Sequence, residues 1–72
     1  MDLKGLDLRE FDVKVDPERG SLLFVRRGFT GLPDEVIEGK GLTIEVKDGE
    51  VVIIDIFKPD LVFSSLLSEE VA

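Results

Sequence analysis

Residues 42–57 read LTIEVKDGEVVIIDIF, and this stretch decides the fold. Leu42, Ile44 and Val46 alternate with Thr43, Glu45 and Lys47, which is the period of a strand with one buried face. Asp48-Gly49 then turns the chain into VVIIDIF, so the stretch is a β-hairpin. A two-residue loop at Asp48-Gly49 sets Val46 opposite Val51 and Leu42 opposite Asp55, a carboxylate facing a core leucine. A three-residue loop, Lys47-Asp48-Gly49 with the glycine left-handed, sets Val46 opposite Glu50, Ile44 opposite Val52 and Leu42 opposite Ile54. The second register is the expected one. It gathers Leu42, Ile44, Val46, Val52, Ile54 and Ile56 on one aliphatic face, and a slip of one residue would exchange every face.

Working outward, Phe11, Val13 and Val15 alternate with Asp12 and Lys14 up to the turn Asp16-Pro17-Glu18-Arg19-Gly20. The segment SLLFVRR, Ser21 to Arg27, follows and completes a second hairpin. Leu6 and Leu8 alternate out of phase with Phe11, so a strand starting that early needs a bulge or break near Arg9-Glu10. Gly28 to Gly41 is a long, glycine-rich connection with room for a short strand through Glu35 to Glu38.

After Phe57 the triplet Lys58-Pro59-Asp60 stops the strand and starts a helix, with either Lys58 ahead of a Pro59 first turn or Asp60 as the cap. Val62, Phe63, Leu66, Leu67 and Val71 then recur at helical spacing. The expected fold is a single α+β domain spanning residues 1–72. It has a four-stranded antiparallel sheet of two hairpins, over Asp12 to Val15, Leu22 to Arg27, Leu42 to Val46 and Val51 to Phe57. One C-terminal helix, Asp60 to Glu70, packs on one face to hide Leu42, Ile44, Val52, Ile54 and Ile56.

Composition narrows the chemistry. The chain has 72 residues, 43% of them apolar, and so short a chain gains about as much from burial as ordering costs it, which predicts a staple or a partner. Cys and His are absent, which removes disulfides, zinc knuckles, thiol chemistry and Ser-His catalysis. Nine basic residues against sixteen acidic ones give a net charge of −7. That balance repels nucleic acid and anionic membranes and suits a cationic protein partner. Asn and Gln are also absent while charged residues make up 35%, the pattern of a thermophile. Met1, Asp2, Leu3 and Lys4 open the chain without the apolar core of a signal peptide, and no apolar run reaches the ~18 residues of a membrane span, so the expected compartment is cytoplasmic.

Two resemblances carry further expectations. VDPERGSLLFV, an acidic loop containing EVIEG, and LTIEVKDGEVVIIDI resemble the small prokaryotic domain-of-unknown-function family numbered 2283 over about residues 11–57. Asp16, Pro17, Glu18, Leu22, Gly49, Val51, Ile54, Asp55 and Ile56 stand at the positions that carry the pattern, while Val15, Gly20, Leu23 and Ile53 depart from it. The resemblance implies a four-stranded antiparallel sheet. Some relatives lie beside genes for small toxin-like proteins, which implies an antitoxin-like, partner-binding role. LPDEVIEGKGLTIEVKDGEVVI, residues 32–53, is similar to the second half of the swapped-hairpin AbrB-type DNA-binding antitoxins, in which a proline-led short helix precedes a Val-rich hairpin. The acidic charge opposes that second reading.

Among single sites, Arg26-Arg27-Gly28 is the only basic doublet and a candidate anion or partner contact, weighed against a pair of solvated charges guarding a strand. Carboxylates at Asp16 and Glu18, and at Asp34, Glu35 and Glu38, are weighed as cation ligands against turn chemistry, and no metal is expected. Asp55 is an unusual carboxylate inside an apolar strand, read either as a functional group or as an exposed or ion-paired strand-end residue. Ser64, Ser65 and Ser68 have no base to activate them. The expected function is therefore a non-enzymatic protein-interaction module, with no catalytic residue and no cofactor. A small-ligand or ion-binding protein is the alternative. A homodimer is also expected, pairing through VVIIDIF as an exposed edge and burying Val51, Ile53 and Phe57.

Overall fold

The structure is a computed structural model and describes residues 6–64. Its elements in chain order are a 3-10 turn η1 (Leu8–Glu10) and strands β1 (Phe11–Asp16), β2 (Ser21–Arg26), β3 (Glu35–Gly39), β4 (Leu42–Lys47) and β5 (Glu50–Ile56). A helix α1 follows, described over residues 59–64. All strand pairs are antiparallel and the sheet order is β1-β2-β5-β4-β3.

The hairpin at Asp48-Gly49 closes more tightly than its alternation suggests. Asp48 and Gly49 both have positive φ, 53° and 78°, as a two-residue type I′ loop requires, and Lys47 pairs with Glu50. Left uncorrected, that loop would bring Leu42 opposite Asp55. The ladder instead shifts after Val46↔Val51, and the next pair is Glu45↔Ile53. Val52 is the extra residue of a bulge, which moves the register on so that Ile44 faces Ile54 and Leu42 faces Ile56. The expected three-residue loop is thus corrected, while Leu42, Ile44, Val46, Ile54 and Ile56 still share one face and Val52, the bulge residue, is buried outside that cluster. Val51 joins them, packed against Ile44, Val46 and Ile54.

The four-stranded expectation is overturned by β3. Only Ile37 of its five residues turns toward the core, so the segment carries almost no hydrophobic signal. What makes it a strand is pairing with β4 from Glu35↔Val46 to Gly39↔Leu42. Asp34 extends the ladder, donating its N–H to the Val46 carbonyl at 2.9 Å.

The sheet order also places VVIIDIF in the middle. β5 lies between β2 and β4, so its second apolar flank is covered by Leu22 to Val25 of the same chain and it is no edge. A strand apolar on both faces belongs in a sheet interior. The edges are β1 and β3.

Phe11, Ile44, Val46, Val52 and Ile54 are buried, and Ile44, Val46 and Ile54 pack together on the inner face. The expected break near Arg9-Glu10 is η1, opened by Asp7, whose carboxylate accepts the Arg9 N–H. At the other end, Lys58 precedes Pro59 and its carbonyl accepts the N–H of Leu61 and Val62 at 3.1 and 3.3 Å, so the first of the two helix starts is the one adopted. Leu66, Leu67, Val71 and the rest of the helix expected to reach Glu70 lie outside the described residues.

Candidate functional site

Two rows of residues cross the outer face of the sheet. Asp12, Val25, Ile53, Glu45 and Val36 align strand by strand, and Lys14, Leu23, Asp55, Thr43 and Glu38 form the next row. The first row is apolar at Val25 and Ile53, charged at Asp12 and Glu45, and ends on Val36; the second sets Leu23 beside Asp55 and Thr43, with Lys14 and Glu38 at its ends. Leu23, Val25 and Ile53 are half-buried, while Val36 on the edge is 56% exposed. Both helical segments of the described residues lie on the opposite face, where Leu8, Val62 and Phe63 meet Phe24, Ile44 and Ile54.

Asp55 sits in the second row between Leu23 and Thr43. The bulge puts it there, because without the shift it would face Leu42 in the core. Among the described residues no hydrogen bond or ion pair engages its carboxylate, and no buried side-chain polar atom lacks a partner, so the carboxylate is left to solvent. Neither Lys58 nor Lys40 pairs with it. Asp55 thus stands between the half-buried Leu23 and Thr43 with its carboxylate unengaged by the described residues.

The Arg26-Arg27 doublet divides into two roles. Arg26 is 17% exposed; its Nε donates to the Val51 carbonyl at 2.8 Å and lies 3.0 Å from the Glu50 carboxylate, and its Nη1 reaches Glu10 at 3.1 Å. The guanidinium stands 4.6 Å above the centre of the Phe11 ring. Two carboxylates, a carbonyl and a ring already satisfy it, so Arg26 clamps β1, β2 and β5 together at one end and has no free fork for an outside anion. Arg27 is mostly exposed, pairing with Asp12 at 3.3 Å and donating to the Arg9 carbonyl at 3.3 Å. The clamp partners Glu10 and Glu50 carry no signal in the sequence, because Arg26 meets Glu10, 16 positions away, through the β1–β2 pairing and Glu50 through the β2–β5 pairing.

Val51, Ile53 and Phe57 do not form one surface. Val51 turns inward to the core, Ile53 lies on the outer face, and Phe57 follows the end of β5 with its N–H bonded to the Gly41 carbonyl at 3.0 Å. The edge position expected of VVIIDIF is corrected, because β2 of the same chain covers that flank.

The loop carboxylates serve the backbone. Asp16 accepts the N–H of Glu18 at 3.1 Å and of Arg19 at 3.3 Å, closing the proline turn. Asp34 accepts the Asp48 N–H at 3.1 Å, tying the start of β3 to the β4–β5 loop. Among the described residues no three acidic groups converge as metal ligands would. Ser64 is exposed on α1, and Ser65 and Ser68 lie outside the described residues.

On the inner face a cavity of about 460 Å³ is lined by Leu6, Leu8, Leu22, Phe24, Leu42, Ile44, Ile54, Ile56, Val62 and Phe63. Its walls hold no polar group, so it supplies van der Waals contact and nothing to orient a polar ligand. The segment Leu32-Pro33-Asp34, where the AbrB-type resemblance places a short helix, leads directly into β3.

No family model, no curated protein and no solved structure matches this chain. No helix of the described residues is long and apolar enough to cross a membrane.

Proposed function

We propose that this protein is a non-enzymatic interaction module that takes a cationic protein surface on the outer face of its sheet. The observation that carries this reading is the make-up of the two rows. Leu23, Val25 and Ile53 form an apolar centre, and Asp12, Glu45, Asp55 and Glu38 surround it, with Lys14, Lys47 and the Asp12-paired Arg27 as the cations of the same face. Protein interfaces share that anatomy of an apolar centre inside a charged rim. Exposed charge pairs are each worth about 0–1 kcal/mol and act mainly on encounter rate and choice of partner. Affinity thus rests on the aliphatic centre, and the carboxylates select for a basic partner. The similarity to the family numbered 2283 supports the same reading, an antitoxin-like partner binder.

The test is an amide-resolved NMR titration with a peptide of alternating Lys and Leu. Shifts centred on Leu23, Val25, Ile53 and Asp55, weakened by salt and abolished by Ile53→Lys, are expected. Shifts confined to the inner face, or binding indifferent to Ile53→Lys, would overturn the reading.

A further inference from the structure

We infer that β1 is a self-complementary edge through which two copies of this chain pair about a two-fold axis, joining their sheets across antiparallel β1 strands. This stands apart from the outer-face reading, since it uses the rim of the sheet and not its face.

The backbone of β1 sets which groups are available. Arg27 donates its N–H to the Glu10 carbonyl at 3.0 Å, and the β1–β2 register continues from that pair without interruption. Hydrogen-bonded pairs alternate along an antiparallel ladder, so Asp12, Lys14 and Asp16 turn their backbone groups to β2 while Phe11, Val13 and Val15 turn theirs outward. The Phe11 N–H is occupied by the Leu8 carbonyl. Among the described residues, the N–H of Val13 and Val15 and the carbonyls of Phe11, Val13 and Val15 remain without a partner on this edge.

Charge and length together select one register, since a pairing centred on Val15 would also oppose Lys14 to Asp16 but could pair only residues 14–16 before Pro17. With Val13 opposite Val13 of a second copy, Phe11 faces Val15, and Asp12 faces Lys14 on both sides of the axis. Each copy donates Val13 N–H to the other's Val13 carbonyl and Val15 N–H to its Phe11 carbonyl. Centring on Lys14 instead would oppose lysine to lysine and Asp12 to Asp16, and centring on Asp12 would oppose aspartate to aspartate. Opposite charges across a strand pair stabilise it and like charges destabilise it. Pairing runs from Phe11 to Val15, because η1 turns away at Glu10 and Pro17 begins the next loop. Asp12 keeps its Arg27 partner on the same face, so each junction becomes an Arg27, Asp12, Lys14 row.

Side-chain burial agrees. Val13 and Val15 are 51% and 64% exposed although they lie on the inner, apolar face of the sheet. Two-fold pairing sets them against Val13 and Phe11 of the second copy and continues that apolar face across the join. The other edge, β3, carries Glu35 and Glu38 and no basic residue, so it offers a second copy no charge complement.

The interface is short and falls below the ~1,200 Å² of standard complexes, so it is sought by sedimentation equilibrium from about 10 µM to 1 mM. The full chain is expected to associate to a dimer over that range, with Val13 and Val15 amides protected from hydrogen exchange only at the high end. Lys14→Glu and Asp12→Lys, both at exposed positions, should each weaken the dimer by about tenfold or more. An equimolar mixture of the two variants should form a heterodimer, because one chain then offers two cations and the other two anions at the facing positions. A wild-type chain that stays monomeric at 1 mM overturns the inference, and so does a dimer that either variant leaves intact.

Discussion

Gly41 and Lys58 share one tight junction. The Gly41 carbonyl accepts the N–H of both Phe57 and Lys58 at 3.0 Å, and a Cβ on Gly41 would stand 2.9 Å from the Lys58 carbonyl oxygen and 3.3 Å from the Leu61 Cβ. The β3–β4 turn and the entry to α1 are therefore built against each other, with glycine at φ +83° as the spacer. This contact holds α1 where Val62 and Phe63 reach the inner face.

Gly41→Ala combines a left-handed strain with a backbone clash. We expect a loss of about 2–3 kcal/mol in urea unfolding. Gly20→Ala, at φ +68° with open space around it, should lose only about 1 kcal/mol. Equal losses at the two positions would show that the Lys58 contact contributes nothing.

Arg26 joins three strands, but its partners differ in weight. Glu10 and Glu50 are 58% and 60% exposed at their side chains, so those ion pairs are screened by solvent. The bond to the Val51 carbonyl and the Phe11 ring contact lie in the shielded part of the site. Arg26→Met should therefore destabilise by about 2 kcal/mol, most of it persisting in 1 M salt. A penalty that salt removes would assign the clamp to the exposed carboxylates instead.

Along β5, neighbouring isoleucines should respond unequally. Ile54 is buried against Ile44 and Val46, so Ile54→Ala should cost about 2–4 kcal/mol. Ile53, half-buried on the outer face, should cost about 1 kcal/mol or less when truncated to Ala. A reversed order in thermal unfolding would mean that the bulge at Val52 is misplaced.

The β4–β5 loop makes a separate conformational demand. Asp48 has φ 53°, where Asp is tolerated and a β-branched residue is not. Asp48→Gly should leave stability nearly unchanged, whereas Asp48→Val should lower it by about 1–2 kcal/mol, read from the denaturation midpoint.

Acid acts on the η1 cap. The Arg9 guanidinium and amide both donate to Asp7, at 2.9–3.3 Å, and hold its carboxyl below the ordinary value of 3.8. A carboxyl depressed in the folded state contributes stability above its ordinary value and loses that contribution as pH falls through the folded one. An NMR titration should show Asp7 protonating below the ordinary carboxyl value together with the Arg9 amide shift. In Asp7→Asn that low-pH step of the Arg9 amide should vanish.

The local pattern determined the pieces of this fold and the faces of its hairpins. Asp16-Pro17 closes a loop through side-chain acceptance of two amides, Asp48-Gly49 turns, and Leu42, Ile44, Val46, Ile54 and Ile56 share one side, because these features depend on neighbours within a few positions. Tertiary pairing decided the rest. Alternation records which face is buried but not which strand lies alongside, so the seating of β5 between β2 and β4, the burial of Arg26 between Glu10 and Glu50, and the solvent-facing placement of Asp55 follow only once residues 22–25 meet residues 53–56. β3 was legible only as room for a short strand through Glu35 to Glu38, for the same reason. With one inward aliphatic residue it has no pattern of its own, and it is a strand because β4 supplies the ladder.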